Sequence, residues 1–314
     1  MFPKYYNRRA RENYLEHNGH LDCDGLRVEI KNEIPRFAPS GSYAALFGEQ
    51  WNKYKKTQLD SYSGTSITMD RLNRCLGDLR SDLHDKLVLE AGCGAGRFTE
   101  CLLQKGALLV SADLSSAVEA NRENFPVTDR HKIIQADIYD LPFMDESFDV
   151  VICLGVIQHT PNSEKTIGEL YKLVKKGGTL VIDHYTQSRS NLLRTVPLYR
   201  AYLKRKPFNK TIAITEKLVK KYLPLHKIFA NNRILCAILN RISPVVSYYR
   251  SLPQLNDQQQ KEWAVLDTHD WLTDWFKHYR SKKQIIKTLA YLGAENIYCA
   301  NGGNGVEARC KKPL

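Results

Sequence analysis

The stretch Lys86-Leu87-Val88-Leu89-Glu90-Ala91-Gly92-Cys93-Gly94-Ala95-Gly96-Arg97-Phe98 constrains this chain more than any other. An apolar run ends in an acid, three glycines follow at alternate positions, and a helical pattern begins at once. That order describes a buried parallel strand turning sharply into a helix. The glycines allow backbone dihedrals closed to other residues and let a ligand lie against bare main chain. A nucleotide-like ligand at this turn is the first expectation.

The pattern then alternates. Strands are expected at 107–112, 132–136, 148–154 and 179–184, with helices near 97–105, from about Ser116, and at 163–174. Apolar strands alternating with helices make a parallel sheet covered on both faces. A helix near 281–292 and two short strands, Glu295 to Ala300 and Gly305 to Lys311, close the chain around the turn Asn301-Gly302-Gly303-Asn304. In an open parallel sheet, ligands bind beyond the carboxyl ends of the strands, near the switch in strand order. The chemically unusual residues stand there: Glu90 with the glycines, then Asp113, Asp137 and Leu154-Gly155.

The glycine spacing separates ligand classes. A dinucleotide fingerprint, G-x-G-x-x-G, cradles pyrophosphate at a helix N-terminus. Here the third glycine comes one residue early, at Gly96, and Arg97 takes the expected slot. Glu90 also puts a negative charge where it would oppose a pyrophosphate. A cationic ligand without phosphate fits better.

Glu90 to Gly96 resembles the "E/D-x-G-x-G-x-G" signature of class I S-adenosylmethionine-dependent methyltransferases. Asp113, Ala136-Asp137-Ile138, Leu141-Pro142-Phe143, Ser147 to Val151 and Gly155-Val156-Ile157-Gln158-His159-Thr160 follow in that family's order. The resemblance covers roughly 86–185 and 263–311. It implies an α/β, Rossmann-like fold: a mostly parallel seven-stranded sheet with an antiparallel last strand, plus a helical insert. It also implies S-adenosylmethionine as cofactor, bound by Glu90, Gly92, Cys93, Gly94 and Gly96 at the turn. Asp113 and Leu114 would take the ribose, Asp137 and Ile138 the adenine, and Leu154 and Gly155 the fourth strand end.

Residues 1–64 read as a leader over this core. Leu26 to Ile30 alternates as a small hairpin would. The phrase Asn32-Glu33-Ile34-Pro35-Arg36-Phe37 is similar to the end of a short zinc-ribbon leader. Of that ribbon's paired cysteines only Cys23 remains, so no metal is expected. Tyr43, Phe47, Trp51 and Tyr54 fall on one helical face. Phe47-Gly48-Glu49-Gln50-Trp51 with Gln58-Leu59-Asp60 resembles the leader of a subset common in bacterial glycan and natural-product pathways, where it folds over the cofactor. Trp51 and Gln58 are thereby expected to touch the methionine end, and Tyr43, Phe47 and Tyr54 to pack.

The core is expected to comprise 65–185 and 263–314, interrupted by an insert at 186–262 that covers the substrate. Between Thr186 and Asn256 stand seven Lys, seven Arg and one acid, Glu216, so this segment holds the whole chain's net charge of +12. Ile234, Leu235, Ile238, Leu239 and Ile242 repeat there at helix spacing, and Pro197, Pro207, Pro224, Pro244 and Pro253 divide it. The charge points to an anionic partner. A negatively charged small substrate, an anionic membrane surface and RNA stay open. RNA ranks last because no RNA-binding module is evident.

Transfer of a methyl from a sulfonium needs mainly position and a dry site. A hydroxyl acceptor also needs a base. His159, His184 and Asp183 are the candidates, with Tyr185 orienting; Asp267, His269 and Asp270 form a second polar cluster. The expected activity is methylation of a small molecule, at a hydroxyl of a carbohydrate, a lipid-linked saccharide or a related metabolite. RNA methylation, or a non-catalytic adaptor that uses the basic insert, are the alternatives. The eight cysteines are scattered without a C-x-x-C pair, which fits a reducing compartment. No secretory signal or membrane span is evident, so the expected location is cytoplasmic, with peripheral membrane contact open.

Overall fold

The computed structural model describes residues 1–38, 43–187 and 195–314. The chain opens with short strands. β1 (Tyr6–Asn7) pairs with β2 (Glu12–Asn13), and β3 (Leu15–His17), β4 (His20–Cys23), β5 (Leu26–Lys31) and β6 (Ile34–Pro35) make a four-stranded antiparallel meander. Two-residue turns with positive φ throughout join them: Asn18-Gly19, Asp24-Gly25 and Asn32-Glu33. Such turns match the twist of paired strands, so the expected hairpin extends into a sheet. The meander docks onto the core where Phe37 N–H donates to the Gln135 carbonyl at 2.8 Å.

Helices α1 (Ala45–Lys53), α2 (Asp60–Ser63) and α3 (Ile67–Leu76) lead to the core. There β7 (Leu87–Ala91), α4 (Arg97–Gln104), β8 (Leu108–Asp113), α5 (Ala117–Asn124) and β9 (His131–Gln135) are followed by β10 (Phe148–Cys153), α6 (Ser163–Lys172) and β11 (Val174–His184). The insert contributes α7 (Val196–Leu203), α8 (Phe208–Ile228), α9 (Arg233–Ile242) and α10 (Asp257–Thr273). The chain ends with α11 (Lys282–Tyr291), β12 (Glu295–Gly302) and β13 (Gly305–Lys311).

Seven strands form one sheet in the order β12-β13-β11-β10-β7-β8-β9. β9 through β11 are parallel, and β13 runs antiparallel to both neighbours. The order reverses between β7 and β10, which opens a crevice at their carboxyl ends. Alternation along β7 serves both faces. Leu87, Leu89 and Ala91 join the core beneath α6 and α11, while Val88 joins the one beneath α3 and α4.

α8 and α10 share a separate apolar cluster, in which Ile212, Val219 and Leu223 meet Ala264 and Val265. α10 therefore starts inside the stretch assigned to the insert and runs on into the stretch assigned to the core. Pro224 lies inside α8 instead of ending it. It is exposed, so the hydrogen bond it removes is lost on the solvent side. Among the described residues, no helix is long and apolar enough to cross a membrane.

Candidate active site

A cavity of about 900 Å³ opens over the carboxyl ends of β7, β8 and β10 and runs under α1 and α10. Ligand pockets fall at about 300–1,000 Å³, so it stands at the large end of that range.

One end is built from the glycine turn. Gly92 and Gly94 take φ of +81° and +52°, and a Cβ on Gly92 would stand 2.3 Å from the Val156 side chain. A side chain at Gly92 would have to move the wall, and one at Gly94 would be strained by its left-handed backbone. Asp113 closes the turn: its carboxylate accepts Gly94 N–H at 2.9 Å, Ser115 N–H at 2.8 Å and the Ser115 hydroxyl at 2.7 Å. A carboxylate has about four lone-pair positions, so acceptor capacity remains on the cavity side. Burial raises the Asp113 pKa. Cys93, Leu114, Asp137, Ile138, Leu154 and Gly155 line the same end. Asp137 is fixed by Tyr139 N–H at 2.9 Å.

The leader forms the roof. Gly48 allows α1 to press on α5, since a Cβ there would lie 2.5 Å from the Ser116 hydroxyl. Asn52 ties the two by donating to the Ser116 carbonyl at 3.0 Å. This places Trp51 against Gly94, and Gln58 at the cavity wall. Gln58 accepts from Arg97 at 2.9 Å and donates to Asp267 at 3.2 Å. Tyr43 and Phe47 also line the cavity, contrary to the packing role expected for them. Tyr54 faces the insert instead and donates to Glu216 at 2.9 Å.

At the other end, α10 presents Trp263, Asp267, Asp270 and Trp271 to the cavity, at helical steps of three and four. Burial pushes the Asp267 carboxyl up to about 6, against the opposing donation from the Tyr248 hydroxyl. Asp270 keeps one buried oxygen, Oδ1, without a partner. His269 points the other way, held between Gln50 and Thr211.

His159 joins the two ends. Its ring packs edge-on against Phe47 and Tyr185. Nδ1 lies 3.1 Å from Asp274 and 3.3 Å from the Phe276 carbonyl, while Nε2 stands 4.0 Å from Asp270. The Phe276 carbonyl accepts at Nδ1 with the Asp274 carboxylate beside it, which places the proton there and leaves the Nε2 lone pair free. Burial disfavours the imidazolium, but Asp270 and the hydrogen bond to Asp274 outweigh it, and the pKa is raised. His159, Asp270 and Asp274 converge closely enough to hold an ion. Asp274 is already compensated by Arg200 and by Lys277, the latter at 2.9 Å, which disfavours a further cation.

Four of the expected site residues do not line the cavity. His184 is fully buried, with Nε2 2.9 Å from the Ser163 hydroxyl and Nδ1 2.9 Å from the Tyr185 carbonyl. Both nitrogens are used, so it cannot serve as a base. Asp183 is consumed by an ion pair with Arg71 and by Gly155 N–H at 2.6 Å; it organises the strand ends beside it. Gly96 begins α4 where a Cβ would strike Phe125, a packing role.

Glu90 lies below the glycine turn. One oxygen accepts from Thr99 at 2.6 Å and Ser111 at 3.0 Å, the other has no partner, and burial raises its pKa to about 7. A raised carboxyl stabilises the fold below its unfolded pKa, and that contribution is lost as pH rises through the folded one. Glu90→Gln does not titrate. It is expected to gain on the unaltered chain by on the order of 2–3 kcal/mol between pH 4.5 and 7.5. Urea midpoints measured across that range would show it; a constant difference would contradict it.

Sequence reasoning missed Arg71, Tyr248, Trp263 and Asn304 in the wall. Asn304 sits in the β12–β13 turn, which reaches back to donate to Asp183 at 3.3 Å. Arg71 carried no signal, being one of two arginines on an amphipathic helix.

Residues 89–182 match the family described as a methyltransferase domain, on a sheet whose seven strands and antiparallel last strand are those expected above. Within this stretch, about a third of the chain, the sequence is similar to a methyltransferase domain. Two curated relatives align with it. A demethylmenaquinone methyltransferase of Clavibacter sepedonicus is 28% identical over 49% of this chain and 62% of its own length. A ubiquinone biosynthesis O-methyltransferase of Pseudomonas fluorescens is 32% identical over 32% of this chain and 45% of its own. The chain thus spans about half the length of these relatives. A solved Methanococcus maripaludis protein described as an S-adenosyl-L-methionine-dependent methyltransferase aligns over 88% of this chain and 96% of its own, at 14% identity and a TM-score of 0.47.

A methyltransferase domain implies S-adenosylmethionine as the methyl donor, and the residues present fit it. The wall at Gly92 and Gly94 is bare main chain, a Cβ on Gly155 would meet nothing within 4 Å, and Asp113 retains acceptor capacity.

Proposed function

We propose that this protein is an S-adenosylmethionine-dependent methyltransferase of a small, hydroxyl-bearing acceptor, with His159 as the base. One observation carries this reading: a single cavity joins the glycine turn to His159 and the α10 carboxylates. Gly92, Gly94, Asp113, Asp137 and Ile138 would hold the nucleoside part of the cofactor, and Trp51, Gln58 and Arg97 the methionine part. Glu90 and Gly96, first expected among the contacts, shape the turn from behind.

Bound there, S-adenosylmethionine supplies a methyl group on a positively charged sulfur. The acceptor would lie among Tyr185, Tyr248, Trp271 and Asp270, with its hydroxyl at His159 Nε2. Nε2 takes the hydroxyl proton, Asp274 holds the Nδ1 proton in place, and Asp270 stabilises the imidazolium. The α1 roof keeps water out. A small acceptor agrees with relatives named for demethylmenaquinone and for an O-methyl step of ubiquinone biosynthesis. Aromatic faces beside carboxylates also suit a saccharide, through ring stacking and hydroxyl donation.

The test is transfer of labelled methyl from S-adenosylmethionine into fractionated small-molecule, lipid, saccharide and RNA pools. Label in a small-molecule, lipid or saccharide fraction, released as a methyl ether, is the expected result. Label confined to RNA would contradict the reading.

A further inference from the structure

We propose that the outer face of α9, together with the end of α8, docks on the surface of an anionic lipid bilayer. α9 has an apolar sector wider than the protein covers. Cys236 and Leu239 are buried, whereas Ile234, Leu235, Ile238 and Ile242 face solvent, with Ile234 73% and Ile242 55% exposed. At 100° per residue these four span one continuous strip beside the buried one. The helix is nonetheless firmly set: Asn232 caps it, accepting Ile234 and Leu235 N–H at 3.1 Å, and the Thr195 hydroxyl donates to the Ile242 carbonyl at 2.8 Å. That last bond brings the start of α7 to the end of α9, and Leu198, three residues on, is 75% exposed.

α8 continues the pattern. Lys217, Lys221, Leu225 and Ile228 recur at steps of four, four and three, so one stripe of α8 is basic along its middle and apolar at its end. All four are exposed, and Ile228 is 71% so. On α9, Arg233 and Arg241 border the apolar strip from its polar side. The one acid between 186 and 256, Glu216, is paired with Lys53 at 2.7 Å. An exposed aliphatic strip edged by cations and free of acids is the arrangement of a helix lying in a membrane interface.

The side-chain types favour lipid over other occupants. Protein interface cores favour aromatics and are depleted in Lys. Single-stranded RNA is gripped by aromatic stacking, and the strip on α9 is aliphatic. Ile and Leu enter acyl chains, and Lys and Arg meet lipid phosphates; each basic side chain near an anionic leaflet is worth on the order of fivefold in partitioning.

Sedimentation of the full chain with vesicles tests this. The vesicles are phosphatidylcholine alone or phosphatidylcholine mixed with phosphatidylglycerol. The chain is expected to pellet with the mixed vesicles and stay in solution with phosphatidylcholine alone. The paired change Ile234→Ser and Ile238→Ser is expected to cut partitioning about tenfold or more, since buried aliphatic area drives insertion. Arg233→Glu with Arg241→Glu should lose a similar factor, and added salt should weaken the unaltered chain. All four positions are exposed, so the thermal midpoint of each variant should match that of the unaltered chain, confirming the fold. Failure to pellet, equal pelleting with both vesicles, or retention by the serine pair would overturn the proposal. Retention by the serine pair is the result expected of a purely electrostatic partner such as RNA. The assay needs neither cofactor nor acceptor, so its outcome is separate from that of the methyl-transfer test.

Discussion

Asp113→Ala is expected to remove most of the stabilisation that S-adenosylhomocysteine gives the unaltered chain. Hydrogen bonds to a charged group contribute about 1.5–3 kcal/mol each. Losing the two that the proposed ribose contact would supply weakens binding on the order of 100-fold or more. The same carboxylate holds Gly94 N–H and both donors of Ser115, so the glycine turn loosens as well. A ligand at about 100 times its dissociation constant stabilises by roughly 2.7 kcal/mol, and a 100-fold loss of affinity erases most of that. Thermal unfolding with and without the ligand reads the difference directly. Asp113→Asn keeps one acceptor oxygen and should fall between. An alanine variant that kept the full shift would remove Asp113 from the cofactor site.

His159→Ala should lower kcat by about 100- to 10,000-fold, the range for a general base, while S-adenosylhomocysteine binds as before. The pH dependence carries a sharper signature. The base acts when neutral, and Asp270 and Asp274 hold the imidazole protonated beyond its ordinary range. The rate kcat/KM should therefore climb with pH through a midpoint above the usual histidine value and level off beyond it. Asp270→Asn removes one negative charge facing the ring, so that midpoint should move to lower pH. A residue that only packed against Phe47 and Tyr185 would change stability and leave the midpoint in place. Unchanged kcat in a folded His159 variant would sink the assignment.

The sheet was legible because its strands are buried on both faces and read as unbroken apolar runs, and because the acids and glycines stand where those runs stop. The leader over the cavity was legible through Gly48 and Trp51, whereas nothing in the sequence separates Tyr43 and Phe47 from packing residues. A helix that roofs a cavity presents the same aromatic face as one that roofs a core. The base was harder to find. Asp183 and His184 are adjacent on one strand, and adjacent residues point to opposite faces. One meets Arg71 and the other Ser163, and neither reaches over the strand end. Position at a strand end does not reveal this; only the packing of α3 and α6 does. α10 hid its role for another reason. It turns Asp267 and Asp270, both half-buried, toward the cavity and buries His269 and Thr268 toward the insert. Polar residues on both buried faces cancel the amphipathic period that marks a helix's inner side.

The glycine turn that fixed the fold also carries the claim that this cavity is a sulfonium-cofactor site. The most direct test is a calorimetric titration of the unaltered chain with S-adenosylhomocysteine. Binding of one equivalent per chain, undiminished by a dinucleotide competitor such as NAD, is the predicted result. An absence of binding by S-adenosylhomocysteine, or its displacement by the dinucleotide, would contradict it.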